Sequence, residues 1–234
     1  MSEIVRINFG QAMPLFPLSG AVLLPHAVLP LHIFESRYQQ MIASAMRTTR
    51  QIAMAVTTDD VVGVKENGNG PLRPAVCVGQ IVQYEPLTAG RANILLQGLC
   101  RARIVRVHEP EKGRLFRIAR LKPLECVDEE PAPMPAVRTE LRTILNNPRL
   151  FTRLHGAQRV IEWFDQDDVS THALLELIGF TLVKDLEVRY RLLAEPNPNR
   201  RAEIIKFELK HLDAIVKQAE NQSFGQWPKG MSWN

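Results

Sequence analysis

The chain has 234 residues, 45% hydrophobic and 23% charged, with 29 Lys and Arg against 25 Asp and Glu for a net charge of +4. That length and balance describe an ordinary globular chain of one large or two small domains, and they exclude disordered and collagen-like structure. An excess this small does not by itself imply a nucleic-acid partner, and an ATPase module of roughly 200 residues would leave room for little else.

The first half reads as β-rich. Met13 to Leu18 and Val28 to Phe34 are short apolar runs punctuated by proline, which suits edge strands, and Ser19-Gly20 and Pro25-His26 between them are turn signals. The prolines at 14, 17, 25 and 30 break any continuous helix, so this apolar stretch is neither a membrane span nor a secretory signal. A cytoplasmic location is expected, with no membrane partner. Ser36 is positioned to cap a helix whose buried face carries Tyr38, Met41, Ile42, Ala45 and Met46. Ile52 to Val56 resumes as a strand, and Asp59 to Leu72 reads as an exposed loop.

Ala75 to Tyr84 and Ala92 to Val107 form a predicted hairpin, with Gly90 supplying the positive φ of the turn. In the second strand Arg101 and Arg103 share one face, but beyond Ile104-Val105 the outward set becomes Arg106 and His108. Such a phase slip predicts a β-bulge. A second slip is expected between Phe116 and Leu121, and two slipped strands in succession point to a coiled, barrel-like sheet. Glu125 to Pro135 is acidic, carries three prolines and reads as a linker.

Beyond it the pattern turns helical. Val137, Leu141, Ile144 and Leu145 give one face. Ser170 or Thr171 caps a helix through Leu174, Leu175, Ile178 and Leu182, and Asp185 starts another through Val188, Leu192 and Leu193. Ile205, Leu209, Leu212 and Val216 mark the last helix. The tail after Ser223 holds Trp227 and Trp233 and is expected to be loosely ordered or laid on a neighbouring surface. The reading is therefore α+β, divided as 1–124 (β domain), 125–135 (linker), 136–222 (helical domain) and 223–234 (tail). Residues 1–124 carry 15 basic and 8 acidic side chains, and residues 125–234 carry 14 and 17.

Catalytic signatures are missing. The chain contains no phosphate-binding Gly-x-x-x-x-Gly-Lys-Ser/Thr, no dinucleotide fingerprint, no Gly-x-Ser-x-Gly elbow and no His-Glu-x-x-His. Cys77, Cys100 and Cys126 are too widely spaced for a zinc site, and the first two lie in strand-like runs as small hydrophobes. Glu208 and His211 have the spacing of half a di-iron site, without its second copy, and read as a solvated helix face. No metal and no cofactor are expected. His32 and Glu35 suit a base and an acid, although polar side chains in irregular backbone more often serve as caps.

The blocks MPLFPL, VLLP and VLPLHIFESRY at residues 13–38, then VGQIV at 78–82 and NILLQGLCR at 93–101, closely resemble the Lon protease N-terminal (substrate-binding) domain family. Leu182 to Leu193 and Arg200 to Leu209 add a weaker match. The resemblance implies a PUA-like β pseudo-barrel with one helix, followed by a C-terminal helical bundle. It also implies a non-enzymatic module for protein quality control that binds unfolded or extended polypeptide and serves a separate protease or chaperone. With no phosphate-binding loop and no residues to spare, the ATPase and protease modules of that family are expected to be absent. Guided by the resemblance, Phe16, Pro30, His32, Phe34, Glu35, Tyr38 and Gln80 are expected near a peptide groove between sheet and helices, with Arg101 at its rim. Two alternatives stay open. Arg101, Arg103, Arg106, Arg117 and Arg120 could form a continuous basic surface for RNA, or His32 and Glu35 could serve a small hydrolase.

Overall fold

A computed structural model of the chain describes residues 6–58, 70–125 and 134–221. Residues 126–133 of the linker expected at 125–135, with Cys126 among them, residues 59–69 of the loop expected at 59–72, and the tail expected at 223–234 lie outside the described residues. The fold is α+β. A six-stranded sheet comprises β1 (Met13–Leu18), β2 (Val28–Ile33), β3 (Gln51–Thr57), β4 (Leu72–Pro86), β5 (Ala92–His108) and β6 (Ile118–Pro123) in the order β2-β5-β4-β3-β1-β6. A further β5–β6 pairing bends the sheet back on itself. One helix, α1 (Ser36–Met46), leads from β2 into β3, and six follow the sheet: α2 (Pro135–Leu145), α3 (Pro148–Arg153), α4 (Ala157–Phe164), α5 (Thr171–Leu182), α6 (Leu186–Ala194) and α7 (Pro198–Asn221).

Closure follows from the bulges. The β5–β6 register shifts between Ile104 and Arg106, where the parity of the arginines changes in the sequence. The slip expected between Phe116 and Leu121 is not a bulge. β6 begins at Ile118 and alternates regularly from there, while Phe116 and Arg117 precede it. Two more shifts, at Val78/Gly79 and Ile81/Gln83, curve the long β4–β5 ladder. Where it curves, Leu24 crosses so tightly over Gly98 that a Cβ there would meet the Leu24 carbonyl oxygen at 2.1 Å. β2 is an edge strand as expected, whereas β1 is not. It pairs with β6 at Met13 and Pro14, then with β3 from Leu15 to Leu18. Changing partners midway lets a strand with two prolines sit inside the sheet.

Over its central strands the sheet buries both faces, while the outer face of β2 and the far end of the β5–β6 ribbon stay open. Leu15, Ala53, Ala55, Val76, Val78, Ala102 and Ala119 fill the inside of the curl. The opposite face, with Phe16, Ile52, Met54, Cys77, Ile81 and Leu96, packs against α1 and the helical half through Leu174, Ile178, Leu192 and Ile205. Helix starts follow their caps. Ser170 accepts from the Ala173 N–H and Asp185 from the Val188 N–H. Ser36 does not cap α1; the N-cap is Glu35, without a side-chain bond. Asn147 and Pro148 start α3, an element the apolar spacing does not reveal. In α7, Ile205 and Leu209 are fully buried.

Candidate functional site

The space between sheet and helices, where a groove is expected, is filled. The apolar core just described occupies most of it, and a buried ionic cluster occupies the rest. Arg101, on β5, reaches Glu176 of α5 and Glu125. Arg201 of α7 pairs with the same two carboxylates. The Arg101 Nε also donates to the Leu192 carbonyl at 3.2 Å, and Arg201 Nη1 donates to the Glu195 and Pro196 carbonyls at 2.9 and 2.8 Å. Two cations thus face two anions, and the α6–α7 turn is held by its carbonyls. Burial opposes the charge on Arg101, but Glu176 and Glu125 outweigh it and its pKa rises. Arg101 is 1% exposed, so it is a staple between the layers and not the rim of a groove. Alongside it, the Ala75 N–H donates to the Tyr190 hydroxyl oxygen at 2.9 Å, and Arg73 covers the Tyr190 ring at 3.4 Å and pairs with Glu187.

Phe16 and Tyr38 are also enclosed, at 3% and 5%. Their rings meet edge to face at 4.4 Å, and the Tyr38 hydroxyl donates to the Pro17 carbonyl, pinning α1 to β1. Neither is placed to touch a ligand. Gln80 is half-buried and donates to the Thr49 carbonyl at 3.1 Å. Glu35 pairs with Arg37 at 2.7 Å and does not meet His32.

The remaining predicted residues come together on the outside of the sheet. β2 is bound to β5 alone, and from it Pro30, His32 and, just beyond, Phe34 project to solvent together with Val28. Phe34 is 62% exposed, with its ring 6.1 Å from that of His32 and nearly parallel to it. In the ladder His32 stands opposite Asn93, and Asn93 opposite Glu85. This row is hydrogen-bonded from end to end. The Asn93 amide nitrogen donates to Glu85 Oε2 at 3.1 Å, which leaves Asn93 Oδ1 to accept from His32 Nδ1 at 2.8 Å. In neutral His32 that arrangement makes Nε2 the free acceptor. Beside the row lies an open cavity of about 410 Å³, lined by Pro30, His32, Gln83, Glu85, Asn93 and Leu95 among others.

Sequence reasoning missed Asn93, Glu85, Gln83 and Leu95. A signal for two of them exists, because a hairpin turning through Leu87 to Gly90 sets Glu85 against Asn93. His32 joins them only through the β2–β5 register, which no local pattern encodes. The row orients side chains and offers hydrogen-bond donors and acceptors at the end of an apolar shelf. The ring contacts of His32 are Asn93 and Phe34, neither a nucleophile, and among the described residues no group of His, Cys, Asp and Glu is placed to hold a metal.

The basic strand face does not form one surface. Arg101 is buried, and Arg117 turns to Glu109 at 2.8 Å and to the Gly70 carbonyl at 2.9 Å. Arg103, Arg106 and Arg120 remain exposed. Among the described residues, no helix is long and apolar enough to cross a membrane.

The chain is similar to known proteins both in sequence and in fold. A sequence model of the ATP-dependent protease La (LON) substrate-binding domain matches residues 12–211. The chain is 29% identical to Lon protease 1 of Syntrophobacter fumaroxidans over 225 residues, covering 94% of this chain and 26% of that one. It is 24% identical to the Lon protease of Heliobacterium modesticaldum over 227 residues, covering 90% and 26%. The chain therefore spans about a quarter of the length of these relatives. In three dimensions it is similar to the Lon N-terminal domain protein from Xanthomonas campestris, with a TM-score of 0.60 at 23% identity, covering 82% of this chain and 95% of that one. It is likewise similar to the N-terminal domain of the Mycobacterium avium complex Lon protease, with 0.63 at 16%, covering 86% and 98%. At those identities the two structures speak for the fold.

Proposed function

The chain belongs to the Lon substrate-binding domain family, and from that premise we propose that it binds extended polypeptide segments along the free edge and outer face of β2, without chemistry of its own. The observation that carries this reading is an exposed edge strand bearing Val28 and Pro30, followed at once by the exposed Phe34, beside the 410 Å³ cavity. Gly98 donates its N–H to the Ala27 carbonyl, which sets the odd-numbered residues of β2 toward β5. The N–H and C=O groups of Val28 and His32 then face the open side, where an added strand finds ladder partners. Pro30, which has no N–H to offer, blunts the same edge against self-pairing. Phe34 and the cavity beside Leu95 supply apolar contact for alternate side chains of the bound segment, and the His32–Asn93–Glu85 row supplies polar contact. Delivery to a separate protease or chaperone, in protein quality control, would use such reversible capture.

The test is fluorescence anisotropy with a labelled, extended apolar peptide of about ten residues. Wild-type protein should bind it, and Phe34→Ala should weaken binding roughly tenfold, as truncation of an aromatic anchor does. Equal affinity of the two proteins would remove β2 from the reading.

A further inference from the structure

We propose that the outer face of the β5–β6 ribbon is a second docking surface, for an acidic segment of polypeptide. Arg103 stands directly opposite Lys122 in the ladder, and Arg106 directly opposite Arg120. All four are exposed. Like charges paired across neighbouring strands oppose sheet formation, and here two such pairs lie side by side. The bulge at Val105 makes the arrangement possible, since without the extra residue Arg106 would project from the opposite face to Arg103.

Nothing within the described structure neutralises these cations. The two acids of the connecting loop are already engaged, Glu109 with Arg117 and Glu111 with Arg114. Glu125 and Glu176 are held inside by Arg101 and Arg201. Among the described residues the quartet makes no ion pair, so the fold pays a repulsion that a ligand's negative charge would relieve.

Two features favour polypeptide over nucleic acid. The patch bears no aromatic side chain on which a base could stack. At its centre Val105 is 60% exposed, an apolar contact between cations that suits an acidic chain with apolar residues interspersed. Residues two apart on a strand, such as Arg120 and Lys122, repeat at about 6.7 Å, and carboxylates at alternate positions of an extended peptide repeat at the same interval. Three of the four cations are arginines, which take a carboxylate through two parallel N–H donors. This surface is independent of the β2 shelf.

The experiment measures binding of a labelled peptide of alternating Glu and Val, about ten residues long, at about 50 and 300 mM salt. A Gln/Val peptide and a single-stranded oligouridylate of equal charge run in parallel. The Glu/Val peptide should bind, lose affinity several-fold with salt, and lose it about tenfold in Arg106→Gln/Arg120→Gln. Phe34→Ala should leave it unchanged. The thermal midpoint of the double variant should equal or exceed the wild-type value, which shows that any loss is not unfolding. The inference is overturned by no binding, by equal affinity in the double variant, by equal binding of the Gln/Val peptide, by loss in Phe34→Ala, or by tighter binding of the oligouridylate, which would make the patch a nucleic-acid surface.

Discussion

Arg101 and Arg103 stand two residues apart on β5 and project from the same face of the sheet, yet Arg101 is sealed between layers and Arg103 stands in solvent. The difference lies wholly in what covers them. Over Arg101 lie α5, α6 and α7, which contribute Glu176, the Leu192 carbonyl and Arg201. The cover ends before Arg103, whose ladder neighbour is Lys122. Alternation along a strand assigns a charge to a face; only tertiary packing decides whether that face is an interior or a surface.

Mutation makes the contrast measurable. Glu176→Ala leaves two buried guanidinium groups competing for Glu125 and should cost about 3–5 kcal/mol in urea unfolding. Arg101→Ala should cost a comparable amount. Arg103→Ala should fall within about 0.5 kcal/mol of wild type, on the stabilising side if relief of repulsion dominates. Equal costs at 101 and 103 would break the distinction. Tyr190→Phe probes the same cover from its α6 side. It strips the acceptor from the buried Ala75 N–H and should cost about 1–3 kcal/mol.

Much of this was legible beforehand, and the reasons are local. Caps at Ser170 and Asp185 act within three residues, so the sequence shows them directly. The bulge at Val105 is visible because one inserted residue inverts the order of polar and apolar positions. Tyr38 and Phe16 misled because an aromatic in a proline-rich run has the same local pattern whether it anchors a helix or meets a ligand. Arg101 misled for the reason given above. Asn93 and Glu85 needed the three-strand register β2–β5–β4, in which His32 lies 61 residues from its partner. Helices α3 and α4 were missed because each is short, at 6 and 8 residues, and too brief to establish a period.

Alkaline pH sharpens the comparison between buried and open groups. Burial pushes the Cys100 thiol from 9.0 up to about 12, with Glu125 adding to the shift. Between those values the unfolded chain releases this proton and the folded protein keeps it. Stability therefore falls as pH rises above about 9, by at most about 1.4 kcal/mol per pH unit for this group, and is untouched below. Urea midpoints at pH 8 and about 10.5 should fall less in Cys100→Ala than in wild type; an equal fall would mean that the thiol ionises freely in the fold. At the small end, Ser170→Ala and Asp185→Ala should each cost about 1 kcal/mol through loss of one cap bond. A cost near zero at either would show that packing alone fixes that helix start.

The central claim is that the open edge of β2, and not the filled space beneath the helices, receives polypeptide. Hydrogen exchange of the intact chain, with and without a saturating extended apolar peptide, tests it at single amides. The account predicts slowed exchange at Val28 and His32, whose N–H groups face the free side, with the amides around Leu192 and Glu176 unchanged. Protection confined to α5 and α6, with Val28 and His32 exchanging as before, would contradict it.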